Sequence, residues 1–462
     1  MNTTSMLKSR STNRRLQIGP IFALLCLMLA AIWLAGGASR PDVLGQVVVR
    51  SVATLVLVMA VLFGPAPAWR QGRPVVLLFA AIVTLVTVQL IPLPPAIWTS
   101  LPGRGLLLNA SAITGASQPW RPLTVVPGAT WNALYALMVP GVILVLALML
   151  DERDRRYLPD ALLVMVIAMA PVAVLQFSGT GLENPLVNDT IGQPSGNFAN
   201  RNHFALFLAM GCMIAPVWAV RSERAMRWKM PIAGALMLLF LLAILASGSR
   251  GGLLLAGIAL FGALALVRRD LHAVVRLGPR WLYPVLIALI VTAVAGIIFL
   301  SVAADRAVAI NRIFAVDAGS DMRVRGLPTV LSMIGTYFPV GSGFGGFDPI
   351  FRIHEPMALL RLTYFNHAHD DWLEVLLDGG VGALLVLLMA FGWWLWASVR
   401  VWRRPRDEAI LLGRLGSGLL LLMWIASAFD YPSRTPIMMM IITLAALWLH
   451  WGSSVQRSAL PR

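Results

Sequence analysis

The chain has 462 residues, of which 58% are hydrophobic and only 13% are charged, and its mean hydropathy is +0.78. These values exclude an ordinary soluble domain. The formal net charge of +16 would suit a nucleic-acid-binding protein, but the basic residues lie beside apolar segments, where they orient helices and contact anionic lipid heads. The composition therefore predicts a polytopic membrane protein that contacts membrane lipids and no nucleic acid.

Apolar runs long enough to cross a bilayer, about 17 to 25 residues each, predict an all-α fold with about twelve transmembrane helices. The first follows KSRSTNRR and looks like a signal peptide, but its apolar run is too long for one, so we interpret it as a retained helix. In chain order the predicted spans are 18–36, 46–64, 74–92, 129–150, 158–176, 202–220, 231–247, 251–267, 282–303, 372–398, 411–428 and 436–452.

The distribution of basic residues orients these spans, because short cytoplasmic loops collect Lys and Arg. With the N-terminus inside, about 23 of the 37 basic residues fall on the cytoplasmic side. The two cysteines lie within apolar spans and predict neither a disulfide nor a thiolate metal site. The predicted organisation is a cytoplasmic N-terminus (1–17), helices 1–9 (18–303), a large outer loop (304–371), helices 10–12 (372–452) and a cytoplasmic C-terminus (453–462).

The stretch GNFANRNHFALF, residues 196–207, ends an outer loop and begins a helix. It brings the amide of Asn200, the guanidinium of Arg201 and the imidazole of His203 to a helix N-terminus, whose free N–H groups favour anions. These residues indicate a binding role. On this stretch alone, an ordinary capped helix start with a snorkelling arginine is an open alternative.

Two arginine elements also lie on the outer side. SGSRGG, residues 247–252, joins two spans, and Arg250 between small residues suits a phosphate group. An outer arginine runs against the positive-inside tendency, which favours function over a plain turn. In the large loop, Arg323 and Arg325 follow Asp321. Two residues apart on a helix they point to different sides, so we expect only one to join a site; alone, a surface charge pair with Asp321 would explain them.

The stretch FNHAHDDWLEVLLDGGVG, residues 365–382, opens the tenth predicted span. The helix dipole accounts for carboxylates at its start, but Glu374 and Asp378 lie one to two turns inside, where an ionisable group must face a polar cavity or a partner. A histidine beside such carboxylates has the arrangement of a general base, with its tautomer fixed and its basicity raised.

A metal site is the competing interpretation of the same stretch, with His367, His369, Asp370 and Asp371 as ligands. Side chains at i and i+2 on a helix point to different faces, so the two histidines do not form a helical ligand pair. We therefore prefer the interpretation in which a histidine of this stretch is a general base. No metal and no cofactor are predicted.

Four stretches in order resemble the O-antigen ligase and polymerase superfamily. HDDWLEVLLDGGVGAL resembles its signature, in which a histidine and the residue after it are followed, nine residues on, by a glycine. His369 aligns with the histidine and Gly380 with the glycine, while Asp370 and Ala383 depart from the usual residues. GNFANRNHFA, SGSRGG and MRVRGLPTVLSMIGTYFPVGSGFGGF are similar to three earlier family elements, the last with Leu327 in place of a common tryptophan. The resemblance spans about residues 190–390, and ordered motifs are more specific than any single one.

The resemblance implies a metal-independent, GT-C-like glycosyltransferase at the periplasmic face of a bacterial inner membrane, with both termini cytoplasmic. Its donor would be a glycan on undecaprenyl diphosphate, and its acceptor a hydroxyl of lipid A core in a ligase or of another glycan in a polymerase. The implied roles are a base (His369, with His367 as alternative), stabilisers of the diphosphate (Arg250 and Arg323), groove residues (Asn200, Arg201, His203 and Arg325) and a carboxylate supporting the base (Glu374 or Asp378).

Ligase is the first hypothesis and a polymerase extending an O-antigen or exopolysaccharide chain is the second. An alternative from another functional class is a transporter with twelve helices. It would also have an even number of helices and both termini in the cytoplasm. A transporter should carry ionisable or broken segments near mid-membrane in related halves, whereas the polar groups here gather at the outer mouths of helices. The pattern favours the enzyme.

Overall fold

The computed structural model describes residues 19–178, 181–187, 193–221, 226–277, 322–360 and 365–454. The regular structure of the described chain is helical apart from one pair of two-residue antiparallel strands, β1 (Pro92–Leu93) and β2 (Arg121–Pro122). The helices are α1 (Pro20–Ala35), α2 (Leu44–Phe63), α3 (Arg73–Val88), α4 (Pro95–Trp98), α5 (Gly105–Thr114), α6 (Pro127–Ala136), α7 (Met138–Met149), α8 (Glu152–Arg155), α9 (Leu158–Phe177), α10 (Arg201–Val220), α11 (Met226–Ser247), α12 (Arg250–Leu277), α13 (Met322–Tyr337), α14 (Phe347–His354), α15 (Asp371–Trp402), α16 (Glu408–Ala426) and α17 (Pro436–Ser454).

Within the described ranges, ten helical segments are long and apolar enough to cross a membrane, and each overlaps a predicted span. The first predicted span corresponds to α1, which is apolar but only 16 residues long. The predicted span 282–303 and both chain termini lie outside the described residues. The prediction of an all-α polytopic membrane protein is confirmed.

The core of the bundle is built around α10, which is buried on almost every side. It packs against α9, α11, α12 and α16. A helix that is apolar all round is stable only when packed helices or lipid cover it, and α10 is covered by helices. By contrast, α2 and α3 expose Leu and Val side chains on the outside of the bundle, as lipid-facing helices do.

The two ends of the bundle carry different polar groups. At the predicted cytoplasmic end, Arg221 pairs with Asp160 and Glu408, each at 3.0 Å, and Arg406 pairs with Asp270. The opposite end carries histidines, asparagines and a buried aspartate. These ion pairs tie helix ends together where the sequence concentrates its basic residues.

A small helical layer lies over the second end. Its α13 and α14 pack around a separate apolar cluster that includes Tyr337, Phe347, Phe351 and Phe365. This layer contacts the start of α15. It therefore fixes the segment that carries His367 and His369 at the mouth of the bundle.

The glycine-rich loop after α13 pairs with the backbone of α15. The amides of Ser342 and Gly343 donate to the carbonyls of Leu377 and Asp378, each at 2.9 Å. The helix is interrupted at Gly380, whose φ of 54° is left-handed. Two stretches that the sequence presents separately, PVGSGFGG and LDGGVG, are thus one structural unit.

We expect Gly380→Ala to lower the thermal unfolding midpoint of the purified protein. The left-handed backbone disfavours a side chain by about 1–2 kcal/mol, and an added Cβ would collide with the carbonyl of Pro339. The matched control is Gly392→Ala on the same helix, where a Cβ meets nothing within 4 Å and alanine favours the helix. Equal midpoints for the two variants would contradict the account.

Candidate active site

Asp430 is the centre of the polar cluster at the second end of the bundle. It lies in the short turn between α16 and α17 and is 2% exposed. Its Oδ1 lies 3.5 Å from Nε2 of His203 and 3.5 Å from Nδ1 of His369. Its Oδ2 accepts a hydrogen bond from Nδ2 of Asn202 at 2.6 Å and lies 3.5 Å from a guanidinium nitrogen of Arg323. One oxygen therefore faces the histidines and the other faces an amide and an arginine.

The surroundings of Asp430 favour its charged form. Burial alone would raise the pKa of this carboxyl, but the adjacent imidazoles of His203 and His369 and the charge of Arg323 outweigh burial and hold the pKa well below its ordinary value. The cluster thus contains a fixed negative charge next to two imidazoles.

The start of α10 supplies three groups to this cluster. Asn200 caps the helix by accepting from the amide of Asn202, and its own Nδ2 donates to Oδ1 of Asp430 at 3.2 Å. His203 follows in the first turn. Asn202 extends the network, because its Oδ1 accepts a hydrogen bond from Ser249 Oγ at 2.8 Å. The capped helix start thereby positions an amide, an imidazole and a link to the next helix.

Arg250 is joined to the cluster through its neighbour in the chain. It is the first residue of α12, and Ser249 before it caps that helix by accepting from the amide of Gly252 at 2.9 Å. Because Ser249 also donates to Asn202, the start of α12 is fixed relative to Asp430. The Arg250 side chain itself is exposed. An exposed guanidinium on a fixed helix start can reach an anionic ligand.

His369 has an unusual backbone. Its φ is 53°, the left-handed region, and it is the one non-glycine residue with positive φ among the described residues. The next residue, Asp370, caps α15 by accepting from the amides of Trp372 and Leu373. Left-handed backbone in a non-glycine residue costs free energy and persists where the surroundings fix it, often at functional sites. His369 Nδ1 is buried and lies 3.5 Å from Oδ1 of Asp430 without forming a hydrogen bond within the described structure.

The start of α15 is attached to the turn that carries Asp430. The amide of Asp371 lies 2.8 Å from the carbonyl of Ser427 and 3.2 Å from that of Asp430. His369 is only two residues before Asp371. This backbone contact explains why a histidine of one helix start lies beside an aspartate that is about sixty residues away in the chain.

His367 is held by other partners. Its Nδ1 lies 2.9 Å from Oε1 of Glu374, and its Nε2 lies 3.2 Å from Oγ of Ser39. The prediction that Glu374 or Asp378 supports His369 is therefore corrected. Glu374 orients His367, and the carboxylate beside His369 is Asp430.

Three buried carboxylates of α15 face a single guanidinium. Arg434 lies 3.1 Å from Asp371, 3.1 Å from Glu374 and 3.6 Å from Asp378. The carboxylates are spaced along one face of the helix, as their spacing in the sequence indicates. Buried charges are tolerated when they are paired and hydrogen-bonded, so Arg434 makes this acidic stripe possible and locks the turn after α16 onto α15.

Tyr431 lies among the three histidines. Its ring centroid is 5.0 Å from that of His203, 4.3 Å from that of His367 and 4.9 Å from that of His369. Burial, followed by the charge of Asp430, raises the pKa of the phenol, which therefore stays neutral. Tyr431 is an aromatic wedge that fixes the spacing of the imidazoles.

The arginines of α13 separate, as their spacing predicts. Arg323 donates to the carbonyl of Phe429 at 3.1 Å and approaches Asp430, whereas Arg325 donates to the carbonyl of Ala358 at 2.7 Å. Asp321 lies outside the described residues. Arg201 is half-buried at the start of α10 and makes no hydrogen bond to Asp430 in the described structure. Arg323 is thus brought into the cluster, and Arg325 and Arg201 are not.

The four residues of the metal alternative have different partners. His367 contacts Glu374, His369 contacts Asp430, Asp370 caps α15 and Asp371 contacts Ser433 and Arg434. Across the ranges that the structure describes, no group of three or more His, Cys, Asp or Glu is arranged to hold a metal ion. These side chains do not converge on one point.

Sequence reasoning missed Asp430, Tyr431 and Arg434. All three lie in FDYPSR, a short turn between the last two spans on the outer side. An arginine in the turn SGSRGG was interpreted as functional because outer turns do not need one. The same reasoning applied to FDYPSR would have found Arg434, and Asp430 lies in the same turn.

Fold and site together define a polytopic membrane protein with a buried histidine–aspartate–arginine cluster at one end of its helices. Residues 235–388, about a third of the chain, match a family model described as O-Antigen ligase. No curated protein matches the chain. This match supports membership of the O-antigen ligase and polymerase superfamily, whose members suggest a glycosyl-transferring activity.

Proposed function

We propose that the protein is an O-antigen ligase-like glycosyltransferase. It moves a glycan from undecaprenyl diphosphate to a hydroxyl of lipid A core at the periplasmic face of the bacterial inner membrane, with both chain termini in the cytoplasm. The observation that carries the proposal is the position of Asp430, which contacts His369 through one oxygen and Arg323 through the other. A base and a group that stabilises anions are thereby held in one cluster.

In the proposed reaction His369 is the general base. Its Nε2 accepts the proton of the acceptor hydroxyl while that oxygen attacks the anomeric carbon of the donor sugar. The bond between the anomeric carbon and the diphosphate oxygen breaks, and the electron pair leaves with undecaprenyl diphosphate. Asp430, beside Nδ1, stabilises the imidazolium that forms and favours the tautomer in which Nε2 is free to accept.

The contacts of the two histidines support His369 over His367 as the base. Both ring nitrogens of His367 are engaged, one by Glu374 and one by Ser39. His369 has one nitrogen beside Asp430 and the other without a partner in the described structure. A base needs a nitrogen that can accept a proton from substrate, and His369 provides it. His367, Asn200, His203 and Glu374 line and orient the site.

The leaving diphosphate gains negative charge as the bond breaks, and Arg250 and Arg323 are placed to stabilise it. Their forked guanidinium groups suit phosphate oxygens better than a point charge does. Arg325, held at Ala358, and Arg201 would contribute to the outer groove. This arrangement would need no divalent ion, and the proposal includes metal-independent transfer.

We expect Arg323→Lys and Arg250→Lys each to lower the rate of transfer at least about tenfold, because lysine keeps the charge but loses bidentate geometry. The measurement is transfer of a lipid-linked glycan by purified protein in liposomes. Arg352→Lys is the matched control, since Arg352 pairs with Asp348 at i,i+4 on the surface of α14. Wild-type rates in both site variants would remove these arginines from the mechanism.

Deletion of the gene distinguishes ligase from polymerase. The proposal predicts that full-length glycan accumulates on undecaprenyl diphosphate and that lipid A core stays unmodified. Accumulation of single repeat units would instead identify a polymerase that extends an O-antigen or exopolysaccharide. With purified protein, full activity in EDTA is expected, and a loss that a divalent ion restores would contradict metal independence.

A further inference from the structure

A cavity of about 220 Å³ opens beside the cluster, on the side of the loop between α1 and α2. This loop contributes Gly37, Ser39 and Arg40 to the lining, and the start of α10 contributes Asn200 and His203. The volume is below the range of about 300–1,000 Å³ that is common for pockets of drug-sized ligands. The cavity therefore accommodates a group of the size of one sugar ring.

The lining is polar and close to neutral. It combines the hydroxyl of Ser39 with the amides of Asn200 and Asn366 and the ring of Tyr431. The charge of Arg40 is offset by Asp42, whose carboxylate accepts from Nε at 3.0 Å. Mixed donors and acceptors beside an aromatic ring match the hydroxyl groups and apolar faces of a sugar, and the balanced charge does not select an anion.

The loop that forms one wall is held rigidly by backbone contacts. The carbonyl of Gly36 accepts from the amide of Ile437 at 3.1 Å, that of Gly37 from Ala199 at 3.2 Å and that of Ala38 from the side chain of Gln46 at 2.8 Å. Pre-formed sites lose less entropy when a ligand binds. The cavity is thus pre-formed by the fold and does not depend on a bound ligand for its shape.

His203 provides a second, independent indication of a ligand. It lines the cavity, is 1% exposed and uses Nε2 on Asp430. Its Nδ1 has no hydrogen-bond partner within the described structure. A buried polar atom without a partner costs free energy unless a ligand or water satisfies it.

Asp430 lies between the cavity-lining His203 and Arg323. Oδ1 faces His203 and His369, on the side of the cavity, and Oδ2 faces Asn202 and Arg323, on the side of the proposed diphosphate site. His369 contacts the same oxygen of Asp430 as His203, which lines the cavity. In the proposed reaction the base deprotonates the hydroxyl of the ligand that does not carry the diphosphate.

We propose that this cavity binds one neutral sugar ring of the acceptor and presents its hydroxyl to His369. The assignment rests on the proposed function. It deepens that function by placing the acceptor at the loop between α1 and α2, outside the segment that matches the family model.

The test is alkylation of Ala199→Cys, at a cavity-lining position, by a membrane-impermeant maleimide in a Cys26→Ala/Cys212→Ala background. The matched control is Ala116→Cys in an exposed loop on the same side. Methyl glycosides of neutral hexoses and N-acetylhexosamines are expected to slow labelling of Ala199→Cys by about twofold at half-saturation and to leave Ala116→Cys unchanged. Sodium pyrophosphate is expected to have no effect on either.

Protection by pyrophosphate without protection by sugars, or no protection by either, would overturn the acceptor assignment. A kinetic variant tests it independently, because Ala199→Leu should fill the cavity and raise the acceptor KM about tenfold or more while the donor KM is unchanged. An unchanged acceptor KM, or a raised donor KM alone, would also overturn it. Labelling needs no turnover, so sugar protection in a protein that transfers no glycan would discard the proposed function and keep the sugar site.

Discussion

Replacing His369 with alanine is expected to reduce glycan transfer by about 10²–10⁴-fold, the usual contribution of a positioned general base. In the proposed reaction the imidazole of His369 removes the proton of the acceptor hydroxyl, whereas both ring nitrogens of the neighbouring His367 are engaged by Glu374 and Ser39. The measurement is the rate of transfer by purified protein in liposomes. Membrane insertion and the thermal unfolding midpoint should stay close to the wild type, because His369 is partly exposed at the mouth of the bundle.

The matched control is His354→Ala. His354 lies on the same outer layer and contacts Tyr337 at 3.3 Å but does not contact Asp430 in the described structure, so its removal should leave the rate nearly unchanged. A His369→Ala variant with wild-type turnover would rule out His369 as base. Loss of activity in His367→Ala alone would assign the base to His367 instead.

Asp430→Asn is expected to lower the rate about 10²-fold or more. An uncharged amide has nearly the same shape but cannot stabilise the imidazolium or fix the tautomer of the base, and this loss is large in enzymes with a carboxylate–histidine pair. The amide nitrogen would also face the donors Asn200 and Asn202, which now bind the carboxylate. The measurement is again turnover, with the unfolding midpoint taken on the same sample.

Asp348→Asn is the control for a lost carboxylate on the same side of the molecule. Asp348 pairs with Arg352 on the surface of α14, and surface ion pairs contribute little. If Asp430→Asn retained wild-type turnover, the carboxylate beside His369 would be structural only. If both variants lost activity equally, the effect would come from the outer layer as a whole.

Hydropathy was sufficient to predict the long apolar helices, because a span needs only length and apolar composition. Ten helical segments in the described ranges match predicted spans. Hydropathy could not predict which helix is central. The sequences of α10 and α2 are both long apolar runs, yet α10 is almost entirely buried and α2 is largely exposed. Burial in a bundle depends on neighbours, which periodicity does not identify.

The candidate site was only partly predictable. The order of the sequence motifs identified His369, Arg250 and Arg323 as candidate site residues. Of these, His369 and Arg323 both contact Asp430. Glu374 or Asp378 was predicted beside His369 because both are close in sequence, whereas the carboxylate that lies beside it, Asp430, comes from a turn about sixty residues later. A contact between two helix ends leaves no periodic signal in either segment.

The carboxylates of α15 illustrate the same limit. Their spacing indicated one polar face, and the sequence required a partner for it. The partner, Arg434, lies beyond the next helix and contacts all three of Asp371, Glu374 and Asp378. The sequence indicated a polar cavity or a partner for these carboxylates, but identifying the partner required the packing of α15 against the turn after α16.

The most direct test of the account is a double-mutant cycle of His369→Ala and Asp430→Asn, with transfer rate as the readout. If Asp430 acts through His369, the double variant should be no slower than His369→Ala alone, since residues that act as a unit are strongly non-additive. Losses that multiply would show that the two residues act independently, and they would contradict the histidine–aspartate unit on which the proposed mechanism depends.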